Sequence, residues 1–283
     1  MPSTEREVTT MVAEYNYPSL TAFVEHVQSL PRLGPDSLEP SNIDWYGGSS
    51  ELAYQLATKG WPEGAKRASE VSAKLATRLA GSTSALVTTH ELVYDVCGAS
   101  FDVGSYLSGE PECWLRFEPQ ESKRSVRIVC NIGVSSFVET EVMERRGVAM
   151  AALAIALQGA GHPVTIDVMV SIHRGNAGRQ GAAEALGTHV VRVLDASTGS
   201  IVDIDRVVYA TAHPTMLRRL MFDALFGQLG DCDGFLGAPM DTQPSGEKID
   251  LYLGAAHLDY TERWQDGGEA WILAEYEKQT KAL

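Results

Sequence analysis

The chain has 283 residues, with 37 acidic against 23 basic side chains, a formal net charge of -14 and a pI near 4.9. A hydrophobic fraction of 44% with 21% charged residues excludes global disorder. An acidic surface repels phosphate backbones and forfeits the counterion-release term, so direct binding to DNA or RNA is a poor reading.

In chain order, residues 1–18 are polar apart from Met11 and Val12 and predict a loosely held arm. Ser19 starts a helix on which Leu20, Phe23, Val24 and Val27 recur at helical spacing, and Pro31 stops it. Residues 32–41 are rich in Pro, Gly and Asp and read as a linker. Trp45-Tyr46-Gly47-Gly48 then opens a helical hairpin: Ser49 or Ser50 caps the first helix, Gly60 ends it, and Pro62 begins a second that runs to Gly81. Its two tryptophans, Trp45 and Trp61, are expected to wedge between these helices and a sheet. Short strands follow at Leu92–Tyr94 and Cys113–Phe117, around a helical turn begun by Asp102 and closed by Gly109 and Pro111. Pro119 to Ser125 reads as a polar loop.

From there strand and helix alternate, which is the pattern of an open α/β sheet. Val126–Cys130 is a strand, Asn131-Ile132-Gly133-Val134-Ser135-Ser136 a turn, and the longest helix begins near Thr140 and ends at Gly159-Ala160-Gly161. Val164–Ile172 is a strand reached by a right-handed crossover. Residues 175–187 form a glycine-rich loop, and His189–Leu194 is a strand returning at the sheet edge. A long helix is interrupted at His213-Pro214, where proline must kink or split it. Residues 228–247 are an acidic loop, Ile249–Gly254 a strand, and a last amphipathic helix carries Trp264, Trp271 and Ile272.

The four cysteines, Cys97, Cys113, Cys130 and Cys232, lack the short spacing of a zinc knuckle or redox turn and fit a reducing compartment. The N-terminus has neither the basic start nor the apolar core of a signal peptide. Val148–Ala160 is too short and alanine-rich to span a bilayer, so the expected location is cytoplasmic, without membrane contact.

The succession from Val126 onward resembles the von Willebrand factor A-type fold: strand, serine turn, helix, strand, edge strand, helix, strand, helix. Trp45–Gly64, Cys97–Trp114 and His213–Arg219 are also similar to an uncharacterised family of actinobacterial phages and plasmids. The resemblance implies an α/β fold, a three-layer sheet with a helical N-terminal layer. It divides the chain into an arm and helix (1–41), a helical hairpin with short strands (42–122) and the A-type domain (123–283). The setting would be host cytoplasm or a virion.

In the A-type fold an Asp-x-Ser-x-Ser pattern at the end of the first strand holds magnesium. Here the matching residues are Asn131-Ile132-Gly133-Val134-Ser135, which lack the carboxylate and one hydroxyl. No cofactor is therefore expected, beyond a degenerate magnesium site. Ser135 and Ser136 either hold an anion or cap the helix together with Thr140. His257 and Asp259 follow a strand that, if parallel to the first, brings them beside Asn131 and Ser135. Were a metal bound, Ser135, Asp231, Asp233 and Asp259 would be its ligands. Arg218-Arg219, next to His213-Pro214, could offer a cation pair to a partner, or one arginine could pair with an acidic neighbour.

No complete catalytic set is present. The expected function is a noncatalytic protein–protein interaction or assembly scaffold of a phage or mobile element, with a phage or host protein as partner. The alternative is a divalent-metal-dependent enzyme with its site at the carboxyl ends of the strands. A third possibility is an acidic surface that imitates DNA.

Overall fold

A computed structural model describes residues 12–30, 43–79, 86–174, 187–194, 203–229, 238–244, 247–255 and 268–280. Val12–Tyr17 forms strand β1. The Ser19 hydroxyl then accepts from the Ala22 amide and caps α1 (Leu20–Ser29), whose apolar stripe is buried. A short α2 (Ile43–Tyr46) leads into the helical hairpin. Ser49 caps α3 (Ser50–Lys59), Gly60 ends it at φ 82°, and α4 (Pro62–Leu79) starts on its proline.

A separate antiparallel sheet follows, built from β2 (Leu86–Asp95), β3 (Ser100–Phe101) and β4 (Trp114–Lys123), with α5 (Val103–Leu107) capped by Asp102. The remaining elements are β5 (Val126–Asn131), α6 (Thr140–Gly159), β6 (Val164–Arg174), β7 (Gly187–Val193) and α7 (Ile204–Ala212). A π-helix (Met216–Met221) runs on into α8 (Phe222–Leu229), before β8 (Ala238–Pro239), β9 (Leu251–Leu253) and α9 (Glu269–Thr280).

The central sheet has the order β1-β7-β6-β5-β9, and β8 pairs with β6 beyond the end of β5. β5 pairs in parallel with β6 and β9, and β1 in parallel with β7; β7 runs antiparallel to β6. The fold is thus α/β with a mostly parallel sheet. Ile128 and Cys130, Ile166, Val168 and Val170, Val191 and Val193, and Leu251 and Leu253 point to one face. The helices of the main core lie on that side, with α4 packed on α6 and α7. From Gly147 to Leu157 α6 is apolar on every side because it sits between the sheet and helices α4 and α7. Among the described residues no helix is long and apolar enough to cross a membrane.

Three expectations are corrected. Residues 12–17 are a strand, not a loose arm, because Tyr15 and Tyr17 pack on the core. β7 is not at the edge, since β1 pairs with its outer side. Residues 119–123 continue β4, held by pairing with β2, where a loop was expected. The linker at 32–41, most of the glycine-rich loop, residues 230–237 of the acidic loop and Trp264 lie outside the described residues.

The opposite face of the sheet is buried but polar. Asp167, fully buried on β6, accepts from Arg127 and Arg192, and Glu247 accepts from the same two guanidiniums at 3.0 and 2.8 Å. Two arginines and two carboxylates neutralise one another, which is how charge is kept inside a fold. Val129, Met169, Val190 and Tyr252 supply the apolar part of this face.

Helices α6 and α7 meet at Gly147 of α6, where an added Cβ would lie 2.2 Å from the Ala212 Cα and 2.2 Å from the Thr211 carbonyl oxygen. Those are backbone atoms that cannot swing aside. Gly147→Ala is therefore expected to destabilise by about 1–3 kcal/mol in urea titration, by overpacking. A stabilised variant, the usual result for alanine in an open helix, would refute the close approach.

Candidate functional site

Alternation along β5 puts Ile128 and Cys130 on the core face and Asn131 at the strand's carboxyl end, where open α/β sheets present their ligand sites. Asn131 is 0% exposed. Its amide donates to the Met240 carbonyl at 2.9 Å and the Tyr252 hydroxyl oxygen at 3.1 Å, and its Oδ1 accepts from the Gly133 amide at 3.0 Å. Tyr252, brought alongside by β9, donates to Asp241 Oδ1 at 2.9 Å. Burial pushes its phenol pKa upward, so it stays protonated. Gln279 of α9 grips both backbone groups of Tyr252, accepting from its N–H at 2.8 Å and donating to its carbonyl at 2.7 Å.

Behind this network lies Arg146 of α6, buried, donating to the backbone carbonyls of Asn131 (2.7 Å) and Gly254. Burial lowers its pKa to about 10, with Cys130, Asp241 and Tyr252 acting in the opposite sense. It remains a cation at neutral pH. Cys130 beside it is pushed up to about 12 by burial and is an inert thiol. In front, Asp241, Gln243, Tyr252, Glu275 and Lys278 line an open polar cleft of about 420 Å³.

The residues matched to the magnesium pattern do not fit a hard cation. Asn131 brings no charge, both ends of its amide are engaged within the protein, and a guanidinium stands behind it. Ser135 and Ser136 do not cap α6, whose N-cap is Glu139 without a side-chain bond. They form a turn instead: the Ser135 carbonyl accepts from the Val138 amide at 3.0 Å, and the Ser136 carbonyl accepts from the Trp45 indole at 2.9 Å. Asp231, Asp233, His257 and Asp259 lie outside the described residues. Among the described residues no three His, Cys, Asp or Glu side chains are grouped to hold a metal.

Sequence reasoning missed Arg146, Asp241 and Tyr252. The available signal was Arg146 itself, a lone charge among Met143, Gly147, Met150 and Ala151 on a face that is otherwise apolar.

The His213–Arg219 segment does not offer a cation pair outward. Arg218 is buried, stacks 4.2 Å from the Trp45 ring centre, and donates to the Trp45 and Val138 carbonyls. Arg219 stacks 3.8 Å from Tyr46 and donates to the Gly48 carbonyl at 3.2 Å. The two arginines of the π-helix therefore clamp the α2 segment to the core. Trp45 and Trp61 wedge between helices as expected, but not against the sheet: Trp61 meets His213 edge-on at 4.9 Å. His213 Nδ1 lies 2.8 Å from the Thr215 hydroxyl and 3.3 Å from the Thr215 amide nitrogen. Burial lowers the His213 pKa to about 4.

The chain belongs to the family described as a domain of unknown function, DUF7192, whose profile matches residues 5–281. No curated protein and no solved structure matches it.

Restoring the carboxylate with Asn131→Asp is expected to cost on the order of 3 kcal/mol at pH 7, since two acceptors would then face an unpaired buried charge. Burial would raise the new carboxyl's pKa above its unfolded value. The variant is thus most stable below about pH 4 and loses stability as pH rises through the folded pKa; a wild-type urea midpoint at pH 7 would refute this account.

For His213 the sign is opposite. Its folded pKa of about 4 lies below the ordinary 6.5, so its contribution is full above pH 6.5 and lost as pH falls to 4. The loss is on the order of 3 kcal/mol, and it should disappear in His213→Asn when both proteins are titrated with urea across that range.

Proposed function

We propose that this protein is a noncatalytic protein–protein interaction or assembly protein of a phage or mobile element, and that its contact surface is the β2-β4-β3 sheet with α5. The carrying observation is the exposure of that unit. Between Leu92 and Arg116 only Cys113 is buried, yet most of the exposed large hydrophobic side chains of the described residues lie there, Val96, Val103, Tyr106 and Leu107 among them. Its packing is internal, β2 and β3 on β4. Apolar surface gathered on a unit with almost no core marks an interaction site rather than a misplaced interior.

A von Willebrand factor A-like core is supported by the succession β5, serine turn, α6, β6, β7, α7 to α8, β9, α9. The mobile-element setting rests on the resemblance of Trp45–Gly64, Cys97–Trp114 and His213–Arg219. The rim chemistry also favours a noncatalytic role, because the amide of Asn131 and the charge of Arg146 are engaged in holding strand ends. The second reading, a divalent-metal-dependent enzyme, is favoured by the Asp241 and Glu275 carboxylates in the cleft.

Two measurements separate them. A photo-crosslinking residue at Leu107, 78% exposed on α5, should give discrete adducts in extracts of the producing cell. The same residue at Phe137, 81% exposed on the body, should not. Matching adduct patterns from both positions would remove the proposal. The melting temperature should be the same in magnesium, manganese or EDTA, and a shift of several degrees would transfer the reading to the metal-dependent enzyme.

A further inference from the structure

The exposed unit carries a charge pattern as well as apolar surface. From Leu92 to Arg116 the acids are Asp95, Asp102, Glu110 and Glu112, and the one base is Arg116. Arg116 is tied to Asp95 at 2.5 Å, which leaves three carboxylates without a basic neighbour in this span. Asp102 accepts from the Tyr94 hydroxyl at 2.7 Å and the Gly104 amide at 2.8 Å, and these donors hold its carboxyl below the usual range. Glu110 and Glu112 are exposed.

The same span carries an aromatic platform. The Phe101 ring lies 4.9 Å from Trp114 and 5.3 Å from Tyr106, each tilted against it. Mutual stacking fixes the rings without burying them, and fixed exposed aromatics lose little entropy when a partner covers them. Their faces attract guanidinium and ammonium groups, as the carboxylates of this span do.

Resting on the interaction reading above, we propose that the Phe101–Tyr106–Trp114 platform binds a protein whose own contact patch is apolar at its centre and ringed by lysine or arginine. A second copy of this chain would bring like charges together around the platform, and an anionic bilayer would do the same. A basic rim on the partner instead satisfies Asp102, Glu110 and Glu112, while its apolar centre covers the rings.

The test uses the full chain with Cys232→Ser and an environment-sensitive fluorophore on Cys97, which is exposed while Cys113 and Cys130 are buried. The probes are an amphipathic peptide of leucine and lysine, its leucine and glutamate counterpart, and phosphatidylcholine vesicles. The lysine peptide should bind saturably. Its affinity should fall about tenfold or more in Tyr106→Ser/Leu107→Ser, which removes apolar centre but keeps the carboxylates, and likewise in Glu110→Lys/Glu112→Lys, which does the reverse. Unchanged melting temperatures check that both variants are folded.

Equal affinity in Tyr106→Ser/Leu107→Ser would overturn the proposal, as would comparable binding of the glutamate peptide or the vesicles. So would a sedimenting dimer that this variant abolishes. Should the Leu107 photo-adduct form while the lysine peptide fails to bind, the partner's charge is wrong and the interaction reading stands. Absence of both removes the two together.

Discussion

The guanidinium of Arg146 holds the carboxyl-terminal rim of the sheet together. It leaves α6 beneath the sheet and donates to the last carbonyl of β5 and to the carbonyl that follows β9. Removing a cation from water costs several kcal/mol, and among the described residues no carboxylate forms an ion pair with it. Two strand-end carbonyls, with their dipoles directed at the group, offset part of that cost through charge-assisted bonds. The same bonds fix where α6 sits relative to β5 and β9. Gly147, the next residue, lets α7 approach to backbone contact. Position 146 thus sets the sheet end and position 147 the helix layer, from adjacent points on one turn.

Buried arginine recurs as a structural device here. Arg192 spans two carboxylates on the polar face of the sheet, and Arg218 and Arg219 lie on aromatic rings while donating to carbonyls. Arginine suits this task because its planar, delocalised charge stacks on rings and offers a fork of donors. A chain with a large excess of acid has thereby placed several of its few bases inside.

Much of the architecture was legible because it rests on local chemistry. Ser19, Ser49, Gly60, Pro62 and Asp102 act at the helix ends where their side chains or backbone preferences place them, and β5, α6 and β6 follow from a change of hydrophobic period. β1 was not legible, because alternating Tyr15 and Tyr17 with Glu14 and Asn16 gives a polar average, and only the partner strand reveals its inward face. Residues 119–123 failed for a similar reason: a proline and several polar residues read as loop until β2 is alongside. At the rim, Asn131 was found because it ends a strand. Tyr252, Asp241 and Arg146 are remote in sequence and meet it only through the parallel pairing of β5 with β9 and the placement of α6.

The pairing of Leu86 with Lys123 makes the second sheet a closed stalk, because the chain departs and comes back at neighbouring points. Between α4 and β5 the body therefore experiences the whole excursion as if it were a tight turn. Such an insertion adds little loop-closure entropy to the folding of the rest, and its length and decoration are free to drift without disturbing the packing below. A lineage could lengthen this appendage, or trim it back to a hairpin, while inheriting the same scaffold intact.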